Sequence, residues 1–255
     1  MPELDPGLLR LPIAHRGLHD PGAGIVENSR AAVRAAVLAG YAVEIDIQRA
    51  ACGEAMVFHD ASLERMTGVR GDVAGRSALE LGRLELIGTR ETIPTLAEIL
   101  RIVGGRVPLL IELKDETASL APGDGVLEAR VAACIGDYAG AIALMSFNPH
   151  SVAQLAGAAP DRPRGLTTCD FVGANWPLPD YVRAELAGIT DFERTAAVFV
   201  SHNHRELDNP AIARLNRQGV PILCWTVRSP SQERAARRIA RNITFEGYRA
   251  AIPAA

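Results

Sequence analysis

Eight short runs rich in β-branched and other apolar residues alternate with longer stretches rich in Ala, Leu and Arg. The predicted strands are residues 11–15, 42–48, 108–114, 141–146, 164–168, 197–201, 222–226 and 242–245. The predicted helices are residues 29–39, 95–103, 125–138, 149–156, 179–186, 209–217 and 230–238. Strands that alternate with helices predict a parallel α/β fold, because parallel neighbours need a crossover connection that is usually helical.

Two architectures share this pattern, a closed (β/α)₈ barrel and a doubly wound open sheet. The length of 255 residues is close to the roughly 250 typical of one barrel. A hydrophobic content of 48% is enough for one large core of helices packed on buried strands. Residues 60–94 contain a Gly-rich run at 67–72 and no clear helix where one is expected. We interpret this stretch as an excursion over the barrel mouth.

Charge and cysteine usage exclude several classes of protein. A formal net charge of −3 with mixed signs offers no basic field for nucleic acid and no polybasic membrane patch. The N-terminal segment is acidic without an apolar signal core, and no apolar run approaches the ~20 residues of a membrane span. The scattered cysteines, without CxxC or zinc spacing, indicate buried thiols of a reducing compartment. We therefore expect a cytoplasmic protein without a stable membrane anchor.

Lys114 is the only lysine, and every other basic position of the chain is arginine. It ends an apolar run and follows Glu112 by two residues. A compact ammonium is not imitated by a planar guanidinium, so this isolated lysine indicates a specific role, against the alternative of a compositional accident.

Carboxylates are placed on two predicted strands so that they share a face. Glu44 and Asp46 are two residues apart, and side chains at that spacing project from the same side of a strand. Adjacent acids on one buried face repel each other unless a positive group binds them. A divalent cation with oxygen ligands, Mg²⁺ or Ca²⁺, is the simplest such group, and Glu112 is a third candidate ligand. The alternatives are exposure to solvent or pairing with arginines, and a simple ion pair between Glu112 and Lys114.

Two histidines close separate hydrophobic runs, His15 before Arg16-Gly17 and His59 before Asp60. Histidine transfers protons near neutral pH, and an arginine can hold a phosphate oxygen. A single histidine at a strand end is usually structural, but two of them beside carboxylates and cations favour catalysis. Together with Lys114 these residues predict a site for phosphate chemistry.

The ordered set of motifs resembles the glycerophosphodiester phosphodiesterase family. The matching motifs are His15-Arg16-Gly17, Glu27-Asn28-Ser29, Glu44-x-Asp46, His59-Asp60, Pro94-Thr95-Leu96, Glu112-x-Lys114, Ser146-Phe147 and Trp225-Thr226-Val227. They extend from residue 13 to about residue 247. The resemblance implies one TIM-barrel domain over residues 1–255, with a small insertion at about residues 60–92 after the second strand.

The resemblance also implies the site residues and a reaction. It implies one divalent cation at Glu44, Asp46 and Glu112, catalytic histidines at His15 and His59, phosphate contacts from Arg16 and Lys114, and Trp225 on the glycerol side. The expected reaction splits a small-molecule glycerophosphodiester into sn-glycerol 3-phosphate and an alcohol. The alternatives are a lysophospholipase D that acts on lipid-tailed diesters and a headgroup-binding barrel without catalysis.

Two stretches depart from that resemblance. The familiar Thr-Asp of the final strand is replaced by Phe245-Glu246-Gly247, so the role of the last acid is open. The run His202-Asn203-His204 matches no family motif, and we interpret it as a polar loop after the sixth predicted strand. The oligomeric state is left open.

Overall fold

The computed structural model describes residues 2–173 and 176–253. Within these residues, eight parallel strands form a closed barrel: β1 (Ile13–Ala14), β2 (Ala42–Arg49), β4 (Leu109–Leu113), β5 (Ile142–Ser146), β6 (Arg164–Thr168), β7 (Phe199–Asn203), β8 (Ile222–Val227) and β9 (Asn242–Phe245). A short strand, β3 (Ala55–Val57), pairs antiparallel with β2 outside the ring. Strand β1 pairs in parallel with β2 on one side and β9 on the other. This closure confirms the barrel and excludes the open sheet.

Among the described residues, the seven predicted helices are present in the predicted order, together with three short α-helices that the alternation does not predict. They are α1 (Pro6–Arg10), α2 (Arg30–Ala39), α3 (Glu64–Thr67), α4 (Ala78–Leu81), α5 (Leu96–Val103), α6 (Val126–Ile135), α7 (Pro149–Ala158), α8 (Asp180–Ala187), α9 (Pro210–Arg217) and α10 (Pro230–Ala236). Side-chain caps fix several starts: Ser29 accepts from the Ala32 N–H, and Thr95 forms a reciprocal capping box with Glu98. No described helix has both the length and the apolar character needed to cross a membrane.

The two ends of the barrel interior differ in polarity. At the amino ends of the strands, Leu8 of α1 packs against a buried apolar layer that includes Leu110, Phe199 and Leu223. Gly165 is required there, because a Cβ atom at this position would lie 2.5 Å from the Phe199 ring. This apolar layer leaves the carboxyl ends of the strands for polar side chains, the end at which TIM barrels carry their sites.

Residues 58–95 leave the barrel after β3 and return at α5. They contain α3 and α4, and they pack with Ala50 and Met56 in a small separate apolar cluster, which also includes Phe58, Leu63, Val73, Leu81, Leu86 and Ile93. The elements β3, α1, α3 and α4 are absent from the sequence prediction, because three to five residues are too few to show a period.

Candidate functional site

One cavity of about 160 Å³ opens at the carboxyl ends of the barrel strands. All eight residues singled out from the sequence line it: His15, Arg16, Glu44, Asp46, His59, Glu112, Lys114 and Trp225. Five further residues also line it, Met145, Phe147, Thr226, Arg228 and Thr244. The fold therefore brings together side chains from both ends of the chain.

The three acids lie on neighbouring strands with their side chains inside the barrel. Asp46 and Glu112 are partners in the β2–β4 register, and Glu44 precedes Asp46 on the same face. The alternating residues of β2, Val43, Ile45 and Ile47, point outward into the helix layer, as the alternation predicts. One oxygen of each acid can be chosen so that all three lie within 4.8 Å of one another.

Burial and mutual repulsion make Glu44 and Glu112 costly to ionise without a cation. Burial is the main cause that raises the pKa of Glu44, and the charges of Asp46 and Glu112 raise it further. Burial likewise raises the pKa of Glu112, against the attraction of Lys114. A cluster that offers only oxygen atoms and is short of positive charge fits a hard divalent cation such as Mg²⁺ or Ca²⁺.

Lys114 lies between two of the acids. Its Nζ is 2.7 Å from Asp46 Oδ1 and also contacts Glu112 Oε1. Burial would raise the pKa of Asp46, but Lys114, His59 and Arg16 together hold it well below its usual range. The ion pair considered from the sequence is thus present, and the same ammonium faces the cavity.

Arg16 is fixed by a tight turn at the end of β1. Its own φ is 54°, and the following Gly17 has a φ of 77°, where a Cβ atom would lie 2.7 Å from the Ala32 carbonyl carbon. The Arg16 backbone N–H donates to Glu44 Oε2 at 2.8 Å, and Nη1 donates to Glu27 Oε1 at 2.8 Å. Nε lies 3.2 Å from Asp46 Oδ2 without hydrogen-bond alignment. One donor of the guanidinium is therefore free of a protein hydrogen bond beside the acids.

Asn28 of the Glu27-Asn28 motif forms hydrogen bonds with Asp46, one of the three acids. Asn28 Nδ2 donates to Asp46 Oδ2 at 2.8 Å, and the Asp46 backbone N–H donates to Asn28 Oδ1 at 3.2 Å. Asn28 adopts a φ of 55°, a left-handed conformation that asparagine tolerates better than most residues. This pair of hydrogen bonds fixes the orientation of the Asp46 carboxylate.

Each histidine is hydrogen-bonded through Nδ1 to a carboxylate. His15 Nδ1 lies 2.5 Å from Glu246 Oε2, and His59 Nδ1 lies 2.6 Å from Asp60 Oδ1. Burial lowers the pKa of His59 to about 4, with a further lowering by the Lys114 charge. Burial also lowers the pKa of His15, against the hydrogen bond that His15 donates to Glu246, which raises it. Both imidazoles therefore favour the neutral form.

The two carboxylates are themselves held by arginines that sequence reasoning did not select. Arg65 donates to both oxygens of Asp60, at 2.5 and 2.9 Å. Arg228 donates through Nε to Glu246 Oε1 at 2.7 Å. For Arg65 a signal existed, since it follows His59-Asp60 by five residues, but Arg228 lies far from His15 in the sequence.

Aromatic rings form one wall of the cavity. The Phe147 ring centroid lies 5.4 Å from that of Trp225 and 5.1 Å from that of Trp176. Trp225 Nε1 donates to the Ser201 carbonyl at 3.0 Å, which fixes the indole. This wall faces the charged side of the cavity and offers apolar contact area.

The interpretation of residues 202–204 as a loop is wrong for His202 and Asn203, whereas His204 does lie in a turn. His202 and Asn203 belong to β7, and the His202 side chain is fully buried. Its Nδ1 lies 2.8 Å from Thr168 Oγ1, and its Nε2 lies 3.1 Å from the Glu206 carbonyl. His202 is thus a satisfied structural histidine, because β7 extends two residues beyond the apolar run that predicted it.

Comparison with known proteins places these features in context. A sequence model of the glycerophosphoryl diester phosphodiesterase family matches residues 15–244. YhdW of Bacillus subtilis (strain 168) is 27% identical over 224 residues, which cover 84% of this chain and 85% of YhdW. The glycerophosphodiester phosphodiesterase of Caldanaerobacter subterraneus subsp. tengcongensis is 31% identical over 166 residues, which cover 61% of this chain and 65% of that relative.

The fold is shared with solved structures. One is an Oleispira antarctica phosphodiesterase in complex with the product sn-glycerol-3-phosphate. It superimposes with a TM-score of 0.75 at 22% identity, over 92% of this chain and 93% of that one.

Proposed function

Because the chain belongs to the glycerophosphoryl diester phosphodiesterase family, and is an enzyme of that class, we propose that it hydrolyses glycerophosphodiesters to sn-glycerol 3-phosphate and an alcohol. We further propose that the reaction uses one divalent cation and general acid–base catalysis by His15 and His59. The observation that supports this most strongly is the single cavity that joins three buried acids, two cations and two carboxylate-bound histidines.

The acids Glu44, Asp46 and Glu112 would hold the cation, since they offer only oxygen atoms and repel one another without it. When bound, Mg²⁺ or Ca²⁺ supplies positive charge that polarises the phosphoryl group. Lys114 balances part of the negative charge of the acids, so one cation together with Lys114 and Arg16 leaves the site able to accept an anionic diester.

Arg16 and Lys114 bind the phosphate and offset the charge that develops on its oxygens. Both side chains are held before substrate arrives, Arg16 by the turn at Gly17 and Lys114 by its two carboxylates. Charged donors that are already oriented stabilise a transition state without reorganisation. The Trp225 and Phe147 rings offer an apolar wall to the glycerol carbons.

The histidines move the protons. One imidazole removes the proton from the attacking oxygen, and the other donates a proton to the departing alkoxide. The attacking oxygen is either the substrate's own glycerol hydroxyl, which gives a cyclic phosphate first, or water. Asp60 accepts from His59 Nδ1, so Nε2 of that ring is left to exchange a proton in the cavity.

The activity is tested by release of sn-glycerol 3-phosphate from glycerophosphocholine, measured with a coupled glycerol 3-phosphate dehydrogenase assay. Purified protein with Mg²⁺ or Ca²⁺ should release it, and the His59→Asn variant should release far less. Lysophosphatidylcholine is assayed in parallel. Turnover of lysophosphatidylcholine without turnover of glycerophosphocholine would replace the proposed substrate with a lipid-tailed one, and turnover of neither would contradict the proposal.

Lys114→Arg should be nearly as damaging to turnover as Lys114→Ala. The guanidinium is longer and flat, and the space between Asp46 and Glu112 accommodates one ammonium that contacts an oxygen of each. The matched control is Arg83→Lys, at an exposed position outside the cavity. Steady-state kinetics decide the matter: unchanged turnover in Lys114→Arg would show that the lysine is a compositional accident.

A further inference from the structure

We propose that Glu246, held by Arg228, is a positioning residue that fixes the tautomer and orientation of His15. This inference rests on the proposed function, because it names the residue that orients one of the two histidines proposed to transfer protons. It gives a role to the acid that stands where the resembled family has a different final-strand motif.

Strand order brings the two residues together. His15 directly follows β1 and Glu246 directly follows β9, and these strands are hydrogen-bonded neighbours in the closed ring. The His15 backbone N–H donates to the Phe245 carbonyl at 3.0 Å. The side chains then meet at 2.5 Å between Nδ1 and Oε2. Closure of the barrel thus places this carboxylate beside the imidazole.

The hydrogen bond to the Glu246 carboxylate determines which nitrogen of the His15 ring carries the proton. A carboxylate only accepts hydrogen bonds, so Nδ1 must carry the proton in the neutral ring. The lone pair is then on Nε2, and His15 lines the cavity that holds the acids. An unprotonated Nε2 facing the substrate can accept the proton of the attacking oxygen. Glu246 itself lines a separate cavity with His19 and Tyr248.

Arg228 restricts the carboxylate in turn. Its Nε and Nη2 both lie 2.7 Å from Glu246 Oε1, which leaves Oε2 for His15. Burial opposes ionisation of Glu246, but the hydrogen bond from His15 and the nearby His19 imidazole, 3.5 Å away, hold the pKa of this carboxyl well below its usual range. The arrangement matches that of His59, Asp60 and Arg65.

A metal site is the competing explanation, since His15, His19 and Glu246 could together offer ligand atoms. Two donor atoms bound to one tetrahedral zinc lie roughly 3.4 Å apart, from bond lengths near 2.1 Å. The separation of 2.5 Å between His15 Nδ1 and Glu246 Oε2 is instead that of a charge-assisted hydrogen bond. The geometry therefore favours positioning.

Glu246→Gln tests the role with little change in shape. The amide can donate to Nδ1, which would move the ring proton to Nε2. We expect kcat for glycerophosphocholine to fall at least about 10²-fold with little change in KM, since removal of an orienting carboxylate from a catalytic histidine acts on turnover. Glu246→Asp, which keeps the charge, should retain more turnover than Glu246→Gln, and the exposed Glu193→Gln should match the parent.

Two further measurements distinguish a role of Glu246 in orienting His15 from a role in stabilising the fold. In a His15→Asn background, Glu246→Gln should cost nothing more, because residues that act as a unit are not additive. ¹⁵N NMR of the histidine rings should show His15 as the Nδ1–H tautomer in the parent and not in Glu246→Gln, with the His15→Asn variant assigning the signal. Independent losses in the double variant, or an unchanged tautomer, would overturn the inference. A parent protein without diesterase activity would contradict the proposed function instead, and the NMR result would still stand.

Discussion

Glu44→Gln should remove most of the turnover and most of the affinity for Mg²⁺ or Ca²⁺, while the fold is retained. The amide keeps the shape of the side chain, and its oxygen can still accept from the Arg16 N–H that now donates to Glu44 Oε2. What is lost is one charged ligand of three. Charge stabilisation by a metal is worth several kcal/mol, so we expect a loss on the order of 10²–10⁴-fold. Asp46→Asn and Glu112→Gln should behave alike.

Thermal unfolding with and without metal tests whether Glu44 binds the cation. Without metal, Glu44→Gln should be at least as stable as the parent, because burial and repulsion already raise the pKa of Glu44 and make its charge costly. Added Mg²⁺ or Ca²⁺ should raise the Tm of the parent and of the exposed control Asp208→Asn, since a ligand that binds only the folded state stabilises it. It should not raise the Tm of Glu44→Gln. Unchanged metal binding by calorimetry in all three acid variants would show that the acids only pair with Lys114 and Arg16.

His15→Ala and His59→Ala should each reduce kcat on the order of 10²–10⁴-fold, the usual range for a general acid or base. The double variant should lose little more than the worse single variant, because each proton transfer depends on the other. His150→Ala, on α7 and outside the cavity, is the control. Near-normal turnover in His15→Ala would make His15 structural and would contradict the mechanism.

The pH–rate profile should be bell-shaped, and its acidic limb should lie at a lower pH than the ordinary histidine pKa would give. Burial is the largest cause that lowers the pKa of both imidazoles, to about 4 for His59. The rate rises with pH as the base loses its proton, and this occurs at the pKa of the base. The acidic limb of kcat/KM should therefore fall below pH ~6.5, the ordinary histidine pKa. A limb above that value would mean that the base is another group.

Local sequence patterns predicted the barrel, and residues that line one cavity, because strand period and strand end fix where a side chain points. The spacing of Glu44 and Asp46 placed both acids on one face, and the register of β2 with β4 brings Glu112 beside them. The order of the strands around the ring was not needed for this, since parallel strands share one carboxyl end.

Some contacts depend on closure of the barrel or on short elements, and these contacts could not be predicted from the sequence. Glu246 meets His15 across 231 positions of sequence, and only the pairing of β1 with β9 joins them. Arg228 directly follows β8, and it contacts Glu246, which directly follows β9. His202 was misplaced because its burial depends on packing with Thr168 and the Glu206 carbonyl, which no local pattern encodes.

Removal and return of the metal in one enzyme preparation is the most direct test of the central claim. The purified protein is treated with EDTA, dialysed and assayed for release of sn-glycerol 3-phosphate from glycerophosphocholine, then assayed again after addition of Mg²⁺ or Ca²⁺. We predict that activity is lost with the chelator and restored by one of the two cations in the parent, and that Glu44→Gln is not restored. Full activity in the chelated protein would show that the three acids do not hold a catalytic metal.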